Sequence, residues 1–179
     1  ISADEKITRL NPKKSPIKNN FSFGDFLTEK SFNNFIVGPS NKYAVESIRQ
    51  FISNENKITN LFLLESPFGL GKSHLTHALS HELKAQNKNI FLCDPILMDS
   101  NQIDFLVLKN FDFIIIEDFS LIEDKPKLQN LVSHLIDQSI TKKFKILITT
   151  SISINELKIC DRLKERLKKS ISIKIQFLD

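Results

Sequence analysis

No apolar run in the chain approaches the ~20 residues that a bilayer-spanning helix requires, which excludes a helical membrane span. The opening residues Ile1-Ser-Ala-Asp-Glu-Lys are polar rather than apolar, so they do not form a secretory signal. Starting on Ile in place of Met, the chain is expected to be processed or trimmed. Cysteine is scarce: Cys93 and Cys160 are the only two, too few and too far apart for metal-ligand spacing. Both lie among apolar residues, and we expect buried free thiols suited to a reducing cytoplasm. The chain carries no strong excess of either charge, with a net charge of +4 and a pI near 9.0. That mildly basic balance is compatible with nucleic acid and does not establish it. Glycine is also scarce, at four residues, and two of these stand two positions apart at Gly69 and Gly71.

What is present suits one soluble domain. With 179 residues, of which 41% are hydrophobic, the chain is long enough to bury a core without disulfides. Residues 1–30 are polar, Asn/Lys-rich and aperiodic, with Pro12 and Pro16; we expect an extended leader with a short strand at Phe21-Ser-Phe23. From Asn41 the pattern turns helical, Val45, Ile48 and Ile52 sharing a face and Ser40 serving as N-cap. Strands and helices then alternate. Strands are expected at Asn60–Leu64, Asn89–Cys93, Phe113–Ile116, Lys145–Thr149 and Ile171–Ile175. Helices are expected at Lys72–Asn87 (with Leu75, Leu79 and Leu83 in one row), Gln102–Lys109, Pro126–Ser139 (with Leu128, Leu131 and Leu135) and Asp161–Lys168. Five strands separated by helices imply an α/β fold, a five-stranded parallel sheet with helices on both faces.

The paired glycines belong to Glu65-Ser-Pro-Phe-Gly-Leu-Gly-Lys-Ser73, between a strand and a helix. This is the setting of a P-loop. Glycines at 69 and 71 tolerate positive φ and let backbone N–H groups curl around a phosphate. The helix beginning at Lys72 adds the positive end of its dipole. Nucleotide is therefore expected against Ser66, Phe68, Gly69, Leu70, Gly71, Lys72, Ser73 and His74. Lys72 would reach the β- and γ-phosphates of ATP or ADP, and the Ser73 hydroxyl would ligate Mg²⁺. Ser66 stands where such loops usually carry their first glycine.

The third strand runs into Glu117 and Asp118, the two carboxylates expected opposite the lysine, with Glu117 assigned to the metal and Asp118 to the attacking water. Glu is longer than the Asp common at the metal position, and Asp shorter than the Glu common at the water position, so slow hydrolysis is expected. The fourth strand ends in Thr149-Thr-Ser151. Thr150 there would sense the γ-phosphate or hold the water, and ordinary capping of the strand end is the competing reading. Arg162 and Arg166 are four apart and share a helix face. Each is a candidate arginine finger toward a neighbouring subunit, or a surface ion pair with Asp161 or Glu165. His74, His77 and His81 recur at helical spacing, but without a carboxylate or cysteine partner they are expected to be solvated. The basic clusters Lys142-Lys143-Phe144-Lys145 and Arg162–Lys169 are expected at the surface.

Several segments together resemble one family, the AAA+ nucleotide-binding domain of the bacterial replication initiator DnaA. They are Leu10-Asn-Pro-Lys13, Ser31-Phe-Asn-Asn-Phe-Ile-Val-Gly-Pro-Ser-Asn-Lys-Tyr-Ala44, Gly69-Leu-Gly-Lys-Ser-His-Leu-Thr-His-Ala78 and Asp161-Arg-Leu-Lys-Glu-Arg-Leu167. The resemblance covers residues 31–179 as an AAA+ core of the P-loop NTPase class. It implies that Phe35, Ile36 and Val37 lie against the adenine with Asn41 close by, and that Arg166 is the finger.

The departures place the chain nearer to short Hda-type regulators in layout. The stretch between the P-loop helix and the third strand is short, and Leu167-Lys-Lys-Ser-Ile171 lacks the aromatic-glycine pattern of DnaA. The helical lid and any DNA-binding domain are expected to be absent. Asn20-Phe-Ser-Phe23 sits where such regulators carry a clamp-binding peptide but lacks its glutamine. The implied function is a cytoplasmic, nucleotide-controlled module in the initiation of chromosome replication or its regulation. Its implied partners are DnaA or other AAA+ subunits in a nucleotide-dependent oligomer, and the sliding clamp. DNA contact would be indirect or weak, through Lys142, Lys143 and Lys145. A DnaC-type helicase loader and a nucleotide-independent scaffold with a degenerate loop are the alternatives.

Overall fold

The computed structural model describes residues 29–53, 59–93, 95 and 110–176. The expected strand at Phe21–Phe23, the helix at Gln102–Lys109 and most of the leader lie outside them. Among the described residues ten elements follow in chain order: α1 (Lys42–Ile52), β1 (Leu61–Glu65), α2 (Lys72–Ala85), β2 (Ile90–Cys93), β3 (Phe113–Ile116), a 3₁₀ turn (Phe119–Ile122), α3 (Pro126–Lys142), β4 (Lys145–Thr150), α4 (Asp161–Leu167) and β5 (Ile171–Lys174).

The strands form one sheet in the order β2-β3-β4-β1-β5, with every pairing parallel. Their continuous apolar runs follow from burial on both faces. Alternate side chains serve opposite layers. Leu61, Leu63, Ile114, Ile116, Ile146 and Ile148 pack with Leu128, Val132 and Leu135 of α3 and Leu163 and Leu167 of α4. Phe62, Leu64, Phe113, Ile115 and Leu147 pack with Val45 and Ile48 of α1 and Leu75, Leu79 and Leu83 of α2. Each fully buried Leu, Ile or Phe in these layers contributes about 1.5–3 kcal/mol. The helix leaving β1 and the helix leaving β4 thus lie on opposite faces although the two strands are neighbours. A crevice forms at the carboxyl ends of such a pair.

Four expectations are corrected. The N-cap of α1 is Asn41, not Ser40. Asn41 spends its amide on the preceding turn, accepting from Gly38 N–H at 2.8 Å and donating to the Ile36 carbonyl at 3.0 Å. Cys160 is exposed while Cys93 is buried, because Cys160 stands at the start of α4, outside its inward face. His77 is buried rather than solvated although it lies across α2 from the row Leu75, Leu79 and Leu83, and that burial, then the charge of Lys30 in the lead-in segment, lowers its pKa. Lys145 is also buried, at the first position of β4. Its ammonium donates to the Phe51 carbonyl at the end of α1 and lies over the Phe51 and Phe113 rings. That burial, and then the charge of Lys88, pushes its pKa below the usual lysine value and removes Lys145 from any surface for DNA.

Candidate functional site

β1 ends at Glu65, whose nearly buried carboxylate is paired with Lys174 of β5 at 3.1 Å. Ser66 then turns the chain, its N–H donating to the Thr150 carbonyl at 3.0 Å. The loop closes at Gly71, which caps α2 in the left-handed region. Gly69 and Gly71 have φ of +83° and +88°, the conformations expected of a chain that turns its N–H groups inward. The two glycines differ in their surroundings. Nothing crowds Gly69, whereas a Cβ on Gly71 would meet the Phe35 ring at 2.8 Å.

Lys72 opens α2, and its ammonium folds back onto the loop, donating to the carbonyls of Ser66 at 2.5 Å and Pro67 at 2.9 Å. It also lies 5.2 Å from the centre of the largely exposed Phe68 ring. Burial lowers its pKa from the ordinary value, against the opposing pull of the Asp118 charge. Ser73 is exposed at the first turn of α2, and Leu70 packs against the α1/α2 layer.

The lead-in segment docks on this turn. His74 Nε2 meets the Ser31 carbonyl and Asn34 Oδ1, each at 3.0 Å, and its ring stands edge-on to Phe35 at 5.1 Å. Phe35 therefore lies against the phosphate loop itself. Ile36 is 88% exposed and Val37 49% exposed, an open apolar edge beside the loop. Asn41 shapes that edge through the two hydrogen bonds described above.

At the end of β3, the Glu117 N–H continues the ladder to the Cys93 carbonyl at 2.9 Å. Its carboxylate accepts a hydrogen bond from the Thr76 hydroxyl of α2. Asp118 has φ +46°, a left-handed conformation that Asp tolerates better than most residues. Its N–H donates to Thr149 Oγ1 at 3.1 Å, and its Oδ1 accepts from Ser120 at 2.6 Å and from Ser151 at 3.1 Å. Strand alternation sends Thr149 and Ser151 to Asp118 and turns Thr150 the other way. The Thr150 hydroxyl donates to the Ile152 carbonyl at 2.8 Å and accepts from its N–H at 3.2 Å, the geometry of a strand-end cap. Thr76, Ser120, Thr149 and Ser151 are thus site residues that sequence reasoning did not assign. For Thr149 and Ser151, the period-two alternation through Thr150 was the available signal.

Arg166 is not at this edge. Its Nε and Nη2 donate to the two carboxylate oxygens of Asp137, each at 2.7 Å, and its Nη1 donates to the Arg162 carbonyl at 3.0 Å. Arg162 adds a looser contact to Asp137 at 3.5 Å. The ion pair expected with Asp161 or Glu165 is made with α3 instead, and Glu165 pairs with Lys168. Arg166 borders a cavity of about 190 Å³ beside Asn60 and Leu61, at the amino end of β1. The strand carries the chain roughly 13 Å from there to Glu65, so Arg166 faces away from its own phosphate loop.

The residues present suit a magnesium-bound nucleotide. Mg²⁺ takes one or two carboxylates and keeps water and substrate phosphate as its other ligands. Glu117 is such a carboxylate, tied through the Thr76 hydroxyl to the first turn of α2, on which Ser73 is exposed. Among the described residues no cluster of three or more His, Cys, Asp or Glu offers an all-protein metal site. Nor is any helix among them long and apolar enough to cross a membrane.

The sequence profile of the bacterial DnaA ATPase domain matches residues 27–174. The initiator protein DnaA of Helicobacter hepaticus is 28% identical over 180 residues, covering 92% of this chain and 38% of its own length. This chain thus spans under two-fifths of that relative. A solved DnaA, described as bound to AMPPCP and single-stranded DNA, superposes with a TM-score of 0.78 at 22% identity, covering 86% of this chain and 52% of its own. The DnaC helicase loader superposes with a TM-score of 0.62 at 15% identity, covering 86% of this chain and 98% of its own.

Proposed function

This chain belongs to the family of bacterial DnaA ATPase domains, and from that premise we propose that it binds ATP or ADP with Mg²⁺ and hydrolyses ATP slowly. Its role is that of a nucleotide-controlled module in the initiation of chromosome replication or its regulation, in the cytoplasm. The observation that carries the reading is the loop between β1 and α2, where two positive-φ glycines and the inward-folded Lys72 stand at the amino end of a helix. Lys72 exchanges the Ser66 and Pro67 carbonyls for the β- and γ-phosphates. The backbone N–H groups from Gly69 to His74 hold the remaining phosphate oxygens. Phe35, Ile36 and Val37 cover the adenine.

Ser73 and Glu117 hold the Mg²⁺, which neutralises charge on the phosphates. Asp118, fixed by Ser120 and Ser151, orients the attacking water. Arg166 cannot reach its own γ-phosphate, so it acts on a neighbouring subunit after leaving Asp137. That subunit is DnaA or another AAA+ protein, and the sliding clamp is a further partner.

Titration calorimetry with ATP and ADP in the presence of Mg²⁺ tests this. Lys72→Ala removes charge-assisted hydrogen bonds of about 1.5–3 kcal/mol, so binding should weaken roughly 10- to 150-fold. Equal binding by the two proteins would remove Lys72 from the site. Absence of binding by the wild-type chain would favour the scaffold alternative.

A further inference from the structure

The Glu117 carboxylate sits at a fixed backbone position, because its N–H belongs to the β3 ladder, yet the side chain has one more methylene than Asp and so more freedom. Thr76 meets it from α2. Thr76 is only 1% exposed, three residues after Ser73 and four after Lys72, hence one turn along from the phosphate loop on the same side of the helix. Its hydroxyl lies 3.1 Å from the Ser73 carbonyl and also contacts Glu117 Oε1. A hydroxyl has one proton to give. Toward an ionised carboxylate that bond is charge-assisted and stronger than a back-bond to a helix carbonyl already engaged in the helix. A β-branched Thr in a helix is confined to two χ1 rotamers, and the one taken here brings the hydroxyl to both the Ser73 carbonyl and Glu117. Burying a hydroxyl carries a penalty that only a partner offsets, and Glu117 is the charged partner here.

We propose that Thr76 is a positioning residue, which holds the Glu117 carboxylate over the first turn of α2 beside Ser73 and thereby sets the affinity of the nucleotide complex for Mg²⁺. The inference rests on the nucleotide-binding reading and deepens it. Nothing at the sequence level marks Thr76 as different from a core position of α2. The contact joins residues 41 apart in the chain.

The test is calorimetric titration of ADP over a series of Mg²⁺ concentrations, on the wild-type chain, Thr76→Val, Thr76→Ala, Thr76→Ser, Glu117→Asp and Thr76→Val/Glu117→Asp. Thermal melts accompany each variant. Without Mg²⁺ the Thr76 variants should bind ADP within about twofold of wild type, because the Thr76 hydroxyl meets the Ser73 carbonyl and Glu117 rather than the loop N–H groups or the Lys72 ammonium. Thr76→Val should raise the Mg²⁺ concentration at half-effect about tenfold, the scale seen when the partner orienting a metal ligand is removed. Thr76→Ala should do the same, which keeps the test valid if one of the two variants folds poorly. Thr76→Ser retains the hydroxyl and should stay near wild type. Glu117→Asp withdraws the carboxylate from Thr76, so adding Thr76→Val to it should change little further.

An unchanged Mg²⁺ midpoint in Thr76→Val and Thr76→Ala would overturn the inference while leaving nucleotide binding intact. So would equal weakening with and without Mg²⁺, which would mark a helix effect. A wild-type chain that binds no ADP would instead overturn the proposed function, and this inference with it.

Discussion

Gly71→Ala and Gly69→Ala form a pair whose difference can be worked out in advance. Both glycines hold positive φ, +83° at Gly69 and +88° at Gly71, where an L-residue with a Cβ loses roughly 1–2 kcal/mol. Only Gly71 also faces a neighbour: its added Cβ would lie 2.8 Å from Phe35 Cε2 and 3.3 Å from Cζ. Those are atoms of a half-buried ring, which can swing outward at the expense of its edge-on contact with His74. Aromatic pairs of this kind contribute about 0.5–1.5 kcal/mol beyond their buried area. Gly69→Ala should therefore destabilise by about 1–2 kcal/mol and Gly71→Ala by about 1.5–3.5 kcal/mol. In a domain of this size each kcal/mol lowers Tm by about 2–4 °C, so the second variant should melt a few degrees below the first.

Differential scanning calorimetry of both variants, alone and on a Phe35→Ala background, provides the assay. Removing the ring should abolish the extra loss at Gly71 and leave the loss at Gly69 unchanged. Equal melting of the two single variants would refute the packing of Phe35 on the loop. Two variants as stable as the parent would refute the left-handed backbone itself.

The Asp137–Arg166 pair sets a pH dependence. Asp137 is held below its ordinary pKa of 3.8 first by the hydrogen bonds from Arg166, which outweigh the opposing effect of burial, and then by the Arg166 and Arg162 charges. A carboxyl lowered on folding contributes stability that is complete above the unfolded value and is lost as pH falls through the folded one. Because Asp137 is partly exposed, solvent screening limits the effect of Asp137→Asn to about 1 kcal/mol near neutral pH. Melting curves of parent and variant should converge below pH 3.8, and a gap that persisted in acid would refute the assignment. The two cysteines should separate cleanly. A thiol reagent should titrate Cys160 in the native chain and reach the buried Cys93 only in denaturant, and two fast thiols in the native state would contradict the fold.

Much of the architecture is legible in the sequence. Phe113–Ile116 declared itself a doubly buried strand because four β-branched or aromatic residues in a row can satisfy no amphipathic face. Leu75, Leu79 and Leu83 marked the inward row of α2, and the loop from Ser66 to Lys72 carried its chemistry in its residue types. What the same reasoning misjudged shares one cause. Apolar neighbours in sequence made Cys160 look buried, and charged neighbours made Lys145 look solvated. Exposure depends on which way a position points relative to the finished sheet, not on its neighbours in the chain. Thr150 likewise stood out as one of three hydroxyls, and only the side each one takes at the end of β4 distinguished it from Thr149 and Ser151.

The sequence by itself determined the elements, the glycine loop with Lys72 at its end, the acidic pair closing β3 and the alternation that demands a parallel sheet. These are local properties, set by periodicity of 2 or 3.6 and by the conformations that individual residues permit. Tertiary structure alone decided that β4 enters between β3 and β1, that Arg166 is clasped by Asp137 across 29 residues, and that Thr76 reaches Glu117 across 41. Periodicity states that a face is buried and leaves open against what. Which distant groups meet is fixed when the layers pack, since only then does each buried polar group find the partner that offsets its lost hydration.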